Sequence, residues 1–214
     1  MQRDSLKISR RYDRIARLYD WLEKPMEMGK FKQWRQDIWA KVASYAPAGG
    51  RVLEVGVGTG NNIAYYPDHV QMYAIDFSKR MLERAKEKSK KLNKEVRFSL
   101  MDIQELEFSN NFFDVVVATC VFCSVPDPLQ GFRELHRVCK PEGKIFLLEH
   151  VRSEQPVIGA IMDFFNPLTV RLWGANINRR TLETIGKIEF ADVKVTDLAG
   201  DIVKEIIITN GKGD

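Results

Sequence analysis

Hydrophobic positions along the chain follow first one period and then another. Ile8, Tyr12, Ile15, Tyr19 and Leu22 recur at spacings of four and three, one stripe of a helix, with Arg10, Arg11, Arg14 and Arg17 largely off it. Pro25 predicts the end of that helix. Phe31, Trp34, Ile38, Val42 and Tyr45 mark a second, stopped by Pro47 and Gly49-Gly50. Val52, Leu53 and Val55 then read as a short buried parallel strand. Val70 to Ile75 is strand-like and ends at Asp76; Ser78 predicts the cap of a helix carrying Met81, Leu82, Ala85 and Leu92, with lysines toward its C-terminal end. Val96, Phe98 and Leu100 alternate up to Asp102, and Phe112 to Thr119 is the most apolar strand pattern of the chain. Asp127-Pro128 opens a helix carrying Leu129, Phe132, Leu135 and Val138, which Lys140-Pro-Glu-Gly143 turns back into a fifth strand, Lys144 to Val151.

Strands alternating with helices predict an α/β fold, doubly wound around a mostly parallel sheet with right-handed crossovers. Gln155 to Thr181 breaks the rhythm. It is apolar and aromatic, with Phe164, Phe165, Leu168, Leu172 and Trp173, and Pro167 and Gly174 predict interruptions in it; it reads as an inserted helical cover. A short helix over Thr181 to Ile185 and two closing strands, Phe190 to Val195 and Ile202 to Thr209, complete seven strands. A chain of 214 residues suits one domain. Its expected parts are an N-terminal helical cap (1–48), a core (49–151), the cover (152–186) and the closing strands (187–214).

Composition narrows the class. Hydrophobic content of 44% and charged content of 29% are those of a globular chain. The apolar run Val115 to Pro126 is far shorter than the ~18 to 20 residues that span a bilayer. Charges throughout the first twenty residues leave no secretory pattern, so cytoplasmic residence is the expectation. Cys120, Cys123 and Cys139 are an odd count that argues against a disulfide framework, and Cys120-x-x-Cys123 has no second pair to complete a zinc site; no metal is expected. Net charge is +4, but residues 1–35 hold ten Lys/Arg and five Asp/Glu, so the excess belongs to the N-terminal arm. Such an arm suits an anionic membrane surface; no nucleic-acid module accompanies it.

Chemistry concentrates at Arg51 to Asn62, where a strand runs into Gly56, Gly58 and Gly60. A dinucleotide fingerprint wants G-x-G-x-x-G, whereas these glycines run G-x-G-x-G, and a P-loop needs Lys-Ser/Thr where Asn61 and Asn62 stand. No lysine or arginine lies between Val52 and Tyr66, and Glu54 suits a ligand carrying positive charge. Asp76, twenty residues after Gly56, is placed to accept both hydroxyls of a ribose. A cationic, adenosine-like cofactor fits this set, with a nicotinamide-dependent oxidoreductase as the rival reading.

An acidic residue followed by G-x-G-x-G resembles motif I of the class I S-adenosylmethionine (SAM) methyltransferases, which implies a Rossmann-like seven-stranded fold. Tyr12-Asp13 and Tyr19-Asp20, with Val125-Pro-Asp127, Arg137-Val-Cys-Lys-Pro-Glu-Gly143 and Leu148-Glu-His150, resemble the ubiquinone/menaquinone C-methyltransferase and bacterial phosphatidylethanolamine N-methyltransferase group, with Glu142 where glycine is commoner. The Glu-His pair and the apolar insert after it are also similar to membrane-associated thiol methyltransferases. The resemblance implies cofactor contacts from Tyr12, Glu54, Gly56, Gly58, Gly60, Asn61, Asp76, Phe77, Met81, Asp102, Ile103, Thr119 and Cys120. Among these, Asp102 is expected to take the adenine amine, Phe77, Met81 and Ile103 to flank the ring, and Thr119 and Cys120 to reach the methionine part through backbone groups.

Methyl transfer from a sulfonium is an in-line displacement, and positioning accounts for about 7 to 11 kcal/mol of its barrier. A carbon or protonated-amine acceptor needs a base as well, for which His150 and then Tyr19 are the expected residues. Arg152, Trp173, Arg179 and Arg180 are the expected substrate contacts, the arginines for a phosphate or carboxylate head group. These readings describe an enzyme with a small apolar or lipid-like acceptor: a phospholipid amine, a quinone precursor or a thiol. A catalytically silent SAM-binding regulator is the alternative that turnover excludes.

Overall fold

The computed structural model describes residues 5–14, 16 and 29–211. A helix over residues 5–14 (α1) is followed by α2 (Lys30–Tyr45), then β1 (Arg51–Val55), β2 (Gln71–Asp76), α3 (Lys79–Lys91), β3 (Val96–Leu100) and β4 (Phe113–Thr119). Next come α4 (Pro128–Val138), β5 (Cys139–His150), α5 (Pro156–Trp173), α6 (Thr181–Ile185), β6 (Asp192–Ala199) and β7 (Val203–Thr209). The strands form one seven-stranded sheet in the order β3-β2-β1-β4-β5-β7-β6. Neighbours are parallel except β7, which runs antiparallel to both β5 and β6. This is the mostly parallel, Rossmann-like sheet that the alternation predicts.

Two apolar layers sandwich the sheet. Leu53, Val55, Ile75, Val116, Ile145 and Leu147 face Phe132, Leu135 and Val138 of α4 and Ile185 of α6. Their strand neighbours Val52, Met72, Ala74, Val117, Phe146 and Leu148 face Ile38, Trp39 and Val42 of α2 and Leu82 and Ala85 of α3. The central strands are therefore apolar at nearly every position, as strands buried on both faces must be. The caps follow the sequence: Ser78 accepts from the Met81 amide, and Asp127 accepts from the Gln130 amide with Pro128 in the first turn.

Several expectations are corrected. After the glycine loop, where the alternation of strand and helix calls for a full crossover helix between the first two strands, Ile63 to Tyr65 forms only a single 3-10 turn, because Pro67 holds Tyr66 in extended backbone. Leu92 lies at the exposed end of α3 rather than on its buried face. The first closing strand begins at Asp192, not at Phe190, whose ring instead packs edge-on to His136. Pro167 does not interrupt the cover; α5 runs through it and ends at Gly174 in the left-handed region. Pro167 and Asp163, whose carbonyl loses its intrahelical donor, are both on the solvent side, where that carbonyl is open to solvation.

Lys140-Pro-Glu-Gly143 is likewise not a turn. β5 starts at Cys139, paired with Phe113, and a register shift between Phe113 and Val115 absorbs the extra residues. Gly143 makes this possible, since a Cβ there would stand 2.6 Å from Cys139 Sγ and 2.9 Å from the Asp114 carbonyl. Gly143→Ala is expected to destabilise the protein by about 1 to 3 kcal/mol, read as a lower urea midpoint at unchanged slope. An unchanged midpoint would show that the strand has room to give.

Candidate active site

The sheet order reverses between β1 and β4, so the loops leaving their carboxyl ends diverge and a crevice opens above them. A cavity of about 880 Å³, counting its open mouth, lies there. It brings together Tyr12, Glu54, Gly56, Gly58, Asn61, Asp76, Phe77, Met81, Asp102, Ile103, Thr119 and Cys120, twelve residues spread over five segments of the chain.

The three glycines have different physical jobs. All have positive φ, at 65°, 55° and 85°. A side chain at Gly56 would collide with Val121 at 2.6 Å, and one at Gly60 with Ile63 at 2.5 Å and the α3 backbone at Ala85. Beside Gly58 there is nothing within 4 Å, so its backbone faces the open crevice. Gly60 does not line the cavity; it lets α3 approach the loop.

Each carboxylate at a strand end is tied into a loop. Asp76 accepts from the Gly58 amide and the Ser78 amide, both at 2.8 Å. Asp102 accepts from the Gln104 amide at 3.0 Å and from its side-chain amide at 2.9 Å. Glu54 is fully buried and accepts from Asn62 Nδ2 at 2.5 Å and from the Tyr66 hydroxyl. Asn62 also donates to Thr119 Oγ1 at 3.1 Å and accepts from Arg35 Nη1 at 2.9 Å. Burial lifts Glu54 to about 7 and Asp76 to about 6, against the hydrogen bonds that pull them down.

The loop after β4 is held from both sides. Cys120 adopts φ 53°, a left-handed conformation that costs a non-glycine residue roughly 1 to 2 kcal/mol. Buried Glu149 secures the loop from below, accepting from the Val121 and Phe122 amides at 2.9 and 3.2 Å, and burial raises it to about 7. From above, Asn176 donates to the Cys123 carbonyl through both its amide and its side chain. Burial pushes the Cys123 thiol up to about 12, so it stays protonated and unreactive.

α1 covers the mouth. Ser9 donates to the Phe77 carbonyl, Tyr12 and Ser124 share a hydrogen bond at 2.6 Å, and Asp13 accepts from the Ser78 hydroxyl and the Arg80 amide. The Tyr12 and Phe77 rings lie 5.8 Å apart over the β2 end.

The expected catalytic and substrate residues fare differently from the cofactor set. His150 ends β5 outside the cavity lining, partly buried, with its pKa lowered by desolvation. Of the Glu-His pair, Glu149 is the residue engaged with the site loop. Tyr19 lies outside the described residues, as does the side chain of Trp173, which closes α5. Arg152 and Arg180 do not line the cavity and are paired within the fold, with Asp163 at 2.8 Å and Glu183 at 2.7 Å. Arg179 donates to the Val125 carbonyl at 2.6 Å, bracing the same loop. Arg35, Asn62 and Ser124 also line the cavity and were not expected. Arg35 had a signal in the sequence: it is the one charged residue on the buried face of α2, beside Phe31, Ile38, Trp39 and Val42.

An open crevice of acidic strand ends over a glycine loop defines a site for a cationic nucleoside. Comparison with known proteins names the class. A methyltransferase-domain family model matches residues 53–147. The chain is 36% identical over 157 residues to the phosphatidylethanolamine N-methyltransferase of Cereibacter sphaeroides, spanning 72% of this chain and 73% of that one. It is 32% identical over 165 residues to the ubiquinone/menaquinone biosynthesis C-methyltransferase of Geotalea uraniireducens, spanning 74% and 69%. A solved methyltransferase from Methanococcus maripaludis has the same fold, with a TM-score of 0.66 over 94% of both chains at 21% identity. This chain belongs to the SAM-dependent methyltransferases, and SAM is its cofactor.

The residues fit that cofactor: Glu54, Asp76 and Asp102 complement a ligand with two cationic centres and several donors, and Gly58 leaves room for backbone contact. When bound, SAM supplies an electrophilic methyl group on a sulfonium. The chain's own contribution is to orient the cofactor and, through α1, to exclude water.

Because the raised acids bind protons that the unfolded chain releases, stability of the free protein falls as pH rises from about 4.5 to 7. Cofactor binding, which favours the ionised acids, runs the other way. SAM affinity is expected to rise roughly tenfold between pH 5.5 and 8, with proton release visible as a buffer-dependent enthalpy in calorimetry. Glu54→Gln is expected to remove the step near 7. An affinity flat across this range would sink the assignment of these acids.

Proposed function

We propose that the chain transfers the SAM methyl group to a small apolar or lipid-like acceptor, a phospholipid amine, a quinone precursor or a thiol, that it meets at an anionic membrane surface. The supporting observation is the outer face of α5. Val157, Ile161, Phe164, Phe165, Leu168 and Leu172 recur at helical spacing and are 48 to 79% exposed, a continuous apolar stripe facing solvent. No helix among the described residues is long and apolar enough to cross a membrane, so this face suits a helix lying on one. A cationic helix is fastened to α5: Arg11 of α1 donates to the Val170 carbonyl at 2.8 Å, and Lys7, Arg10, Arg11 and Arg14, with Arg80 and Asp13, surround a surface recess. The names of the relatives, phosphatidylethanolamine N-methylation and quinone biosynthesis, agree with an acceptor of this kind.

Anionic vesicles of phosphatidylglycerol and phosphatidylcholine should therefore sediment the protein at low salt and release it at high salt. Phe164→Glu with Leu168→Glu is expected to cut the bound fraction more than tenfold while leaving SAM affinity unchanged. Wild-type protein remaining in the supernatant at low salt defeats the membrane reading. Labelled-methyl transfer to a lipid extract, a quinone precursor and a small thiol distinguishes the acceptors.

A further inference from the structure

We propose that the outer edge of β3 docks an acidic, extended segment of another protein, which adds a strand to the sheet there. β3 and β6 are the two edges of the sheet, and they differ. β6 carries Asp192, Lys194 and Asp197, is exposed on both faces along nearly its whole length and has a register shift between Asp197 and Ala199, features that keep an edge from pairing. β3 pairs with β2 in unbroken register and has a row of apolar side chains, Val96, Phe98 and Leu100, on the face toward α3. Leu100 is 53% exposed. The Met101 amide, just past the strand, donates to the Asp76 carbonyl of β2, so two-residue alternation turns the amides and carbonyls of Val96, Phe98 and Leu100 outward. Among the described residues, no hydrogen bond reaches those outward groups.

Beside this edge, between β3 and the C-terminal half of α3, lies a groove of about 1150 Å³, counting the open solvent above it. It sits at the amino ends of β2 and β3, away from the cofactor crevice at their carboxyl ends. Met72, Val96 and Phe98 form its apolar floor. Its rim is cationic, with Lys86, Lys90, Lys94 and Arg97 against a single acid, Glu95. Asp68 answers Lys94 at 2.5 Å, which leaves Lys86, Lys90 and Arg97 in excess. Arg97 stands on the face of β3 opposite the apolar row, over the Tyr73 ring at 5.1 Å. These features together select the occupant. A free strand edge takes backbone donors and acceptors at strand spacing, which a lipid or a small anion lacks; the apolar row takes apolar side chains at every second position; the rim takes acids. An extended chain that alternates apolar and acidic residues supplies all three.

The docking edge lies apart from cofactor and acceptor, so its test depends on neither. Fluorescence anisotropy should follow a short labelled peptide in which valine alternates with glutamate. At low salt, wild-type protein is expected to bind it at least about tenfold more tightly than a peptide with lysine in place of glutamate. N-methylation of one of the peptide's two sets of alternate amides should weaken binding about tenfold, and of the other set leave it unchanged, since only one set faces β3. Lys86→Glu with Lys90→Glu is expected to cut affinity about tenfold while SAM affinity and the urea midpoint stay as in the wild type. Hydrogen exchange should show the amides of Val96, Phe98 and Leu100 gaining protection when the peptide binds. Equal binding of the glutamate and lysine peptides, indifference to both N-methylations, or protection gained elsewhere instead overturns the proposal. Self-association of the free protein that the double variant abolishes assigns the edge to a second copy of this chain and overturns it as well.

Discussion

Each buried carboxylate at the carboxyl edge of this sheet holds a loop in place. A strand that ends there leaves its successor without a ladder partner, and the loop amides must be satisfied from another source. Asp76 supplies acceptors to the glycine loop and to the start of α3, Asp102 to its own turn, and Glu149 to the strained loop after β4. Glu54 does the same for the side chains of Asn62 and Tyr66. A buried carboxylate is expensive to ionise, and an unpaired buried amide is expensive to leave; setting one against the other offsets both. The crevice exists because its walls are fastened in this way.

The same constraint gives the site its electrostatics. Glu54, Asp76 and Glu149 are raised by burial despite their hydrogen bonds, so desolvation outweighs the donors in all three. A cationic ligand entering the crevice would add countercharge to acids that Arg35 offsets only in part. The acids facing the cofactor crevice are thus ones already placed for structural reasons, and the glycine loop contributes shape rather than charge: Gly56 and Gly60 permit close packing, and of these three glycines only Gly58 faces open space.

What was legible in the sequence was local. Strand patterns, caps at Ser78 and Asp127, the spacing of the glycines and the acids at strand ends are each written within a few residues, and the sheet topology then gathers them without further instruction. What was not legible depends on distant packing. Arg35 meets Asn62 across 27 residues, and Glu149 meets the amide of Val121 across 28, so neither pairing leaves a local trace. His150 drew attention as a histidine at a strand end, but strand alternation sends successive side chains to opposite faces, and Glu149 takes the face toward the site loop. The arginines after β5 looked like a head-group cluster because sequence shows charges and not their partners; Asp163, Glu183 and the Val125 carbonyl take them up. Pro167 misled because helix breaking is costly in a core, and this helix carries its proline on the side facing water.

α1 is tied to four separate parts of the fold. Along ten residues it touches the end of β2 through Phe77 and Ser78, the Asp102 turn through Ser5 and Gln104, the loop after β4 through Ser124, and the C-terminal half of α5 through Val170. A helix with so many tertiary polar contacts and few buried apolar side chains is positioned by its hydrogen bonds more than by a core. Its stability therefore depends on all four neighbours being in place at once. Arg11 and Tyr12, adjacent in this helix, join it on one side to the Val170 carbonyl of α5 and on the other to Ser124 in the loop that also carries Cys120, so a single turn of α1 is fastened to two elements far apart in the sequence.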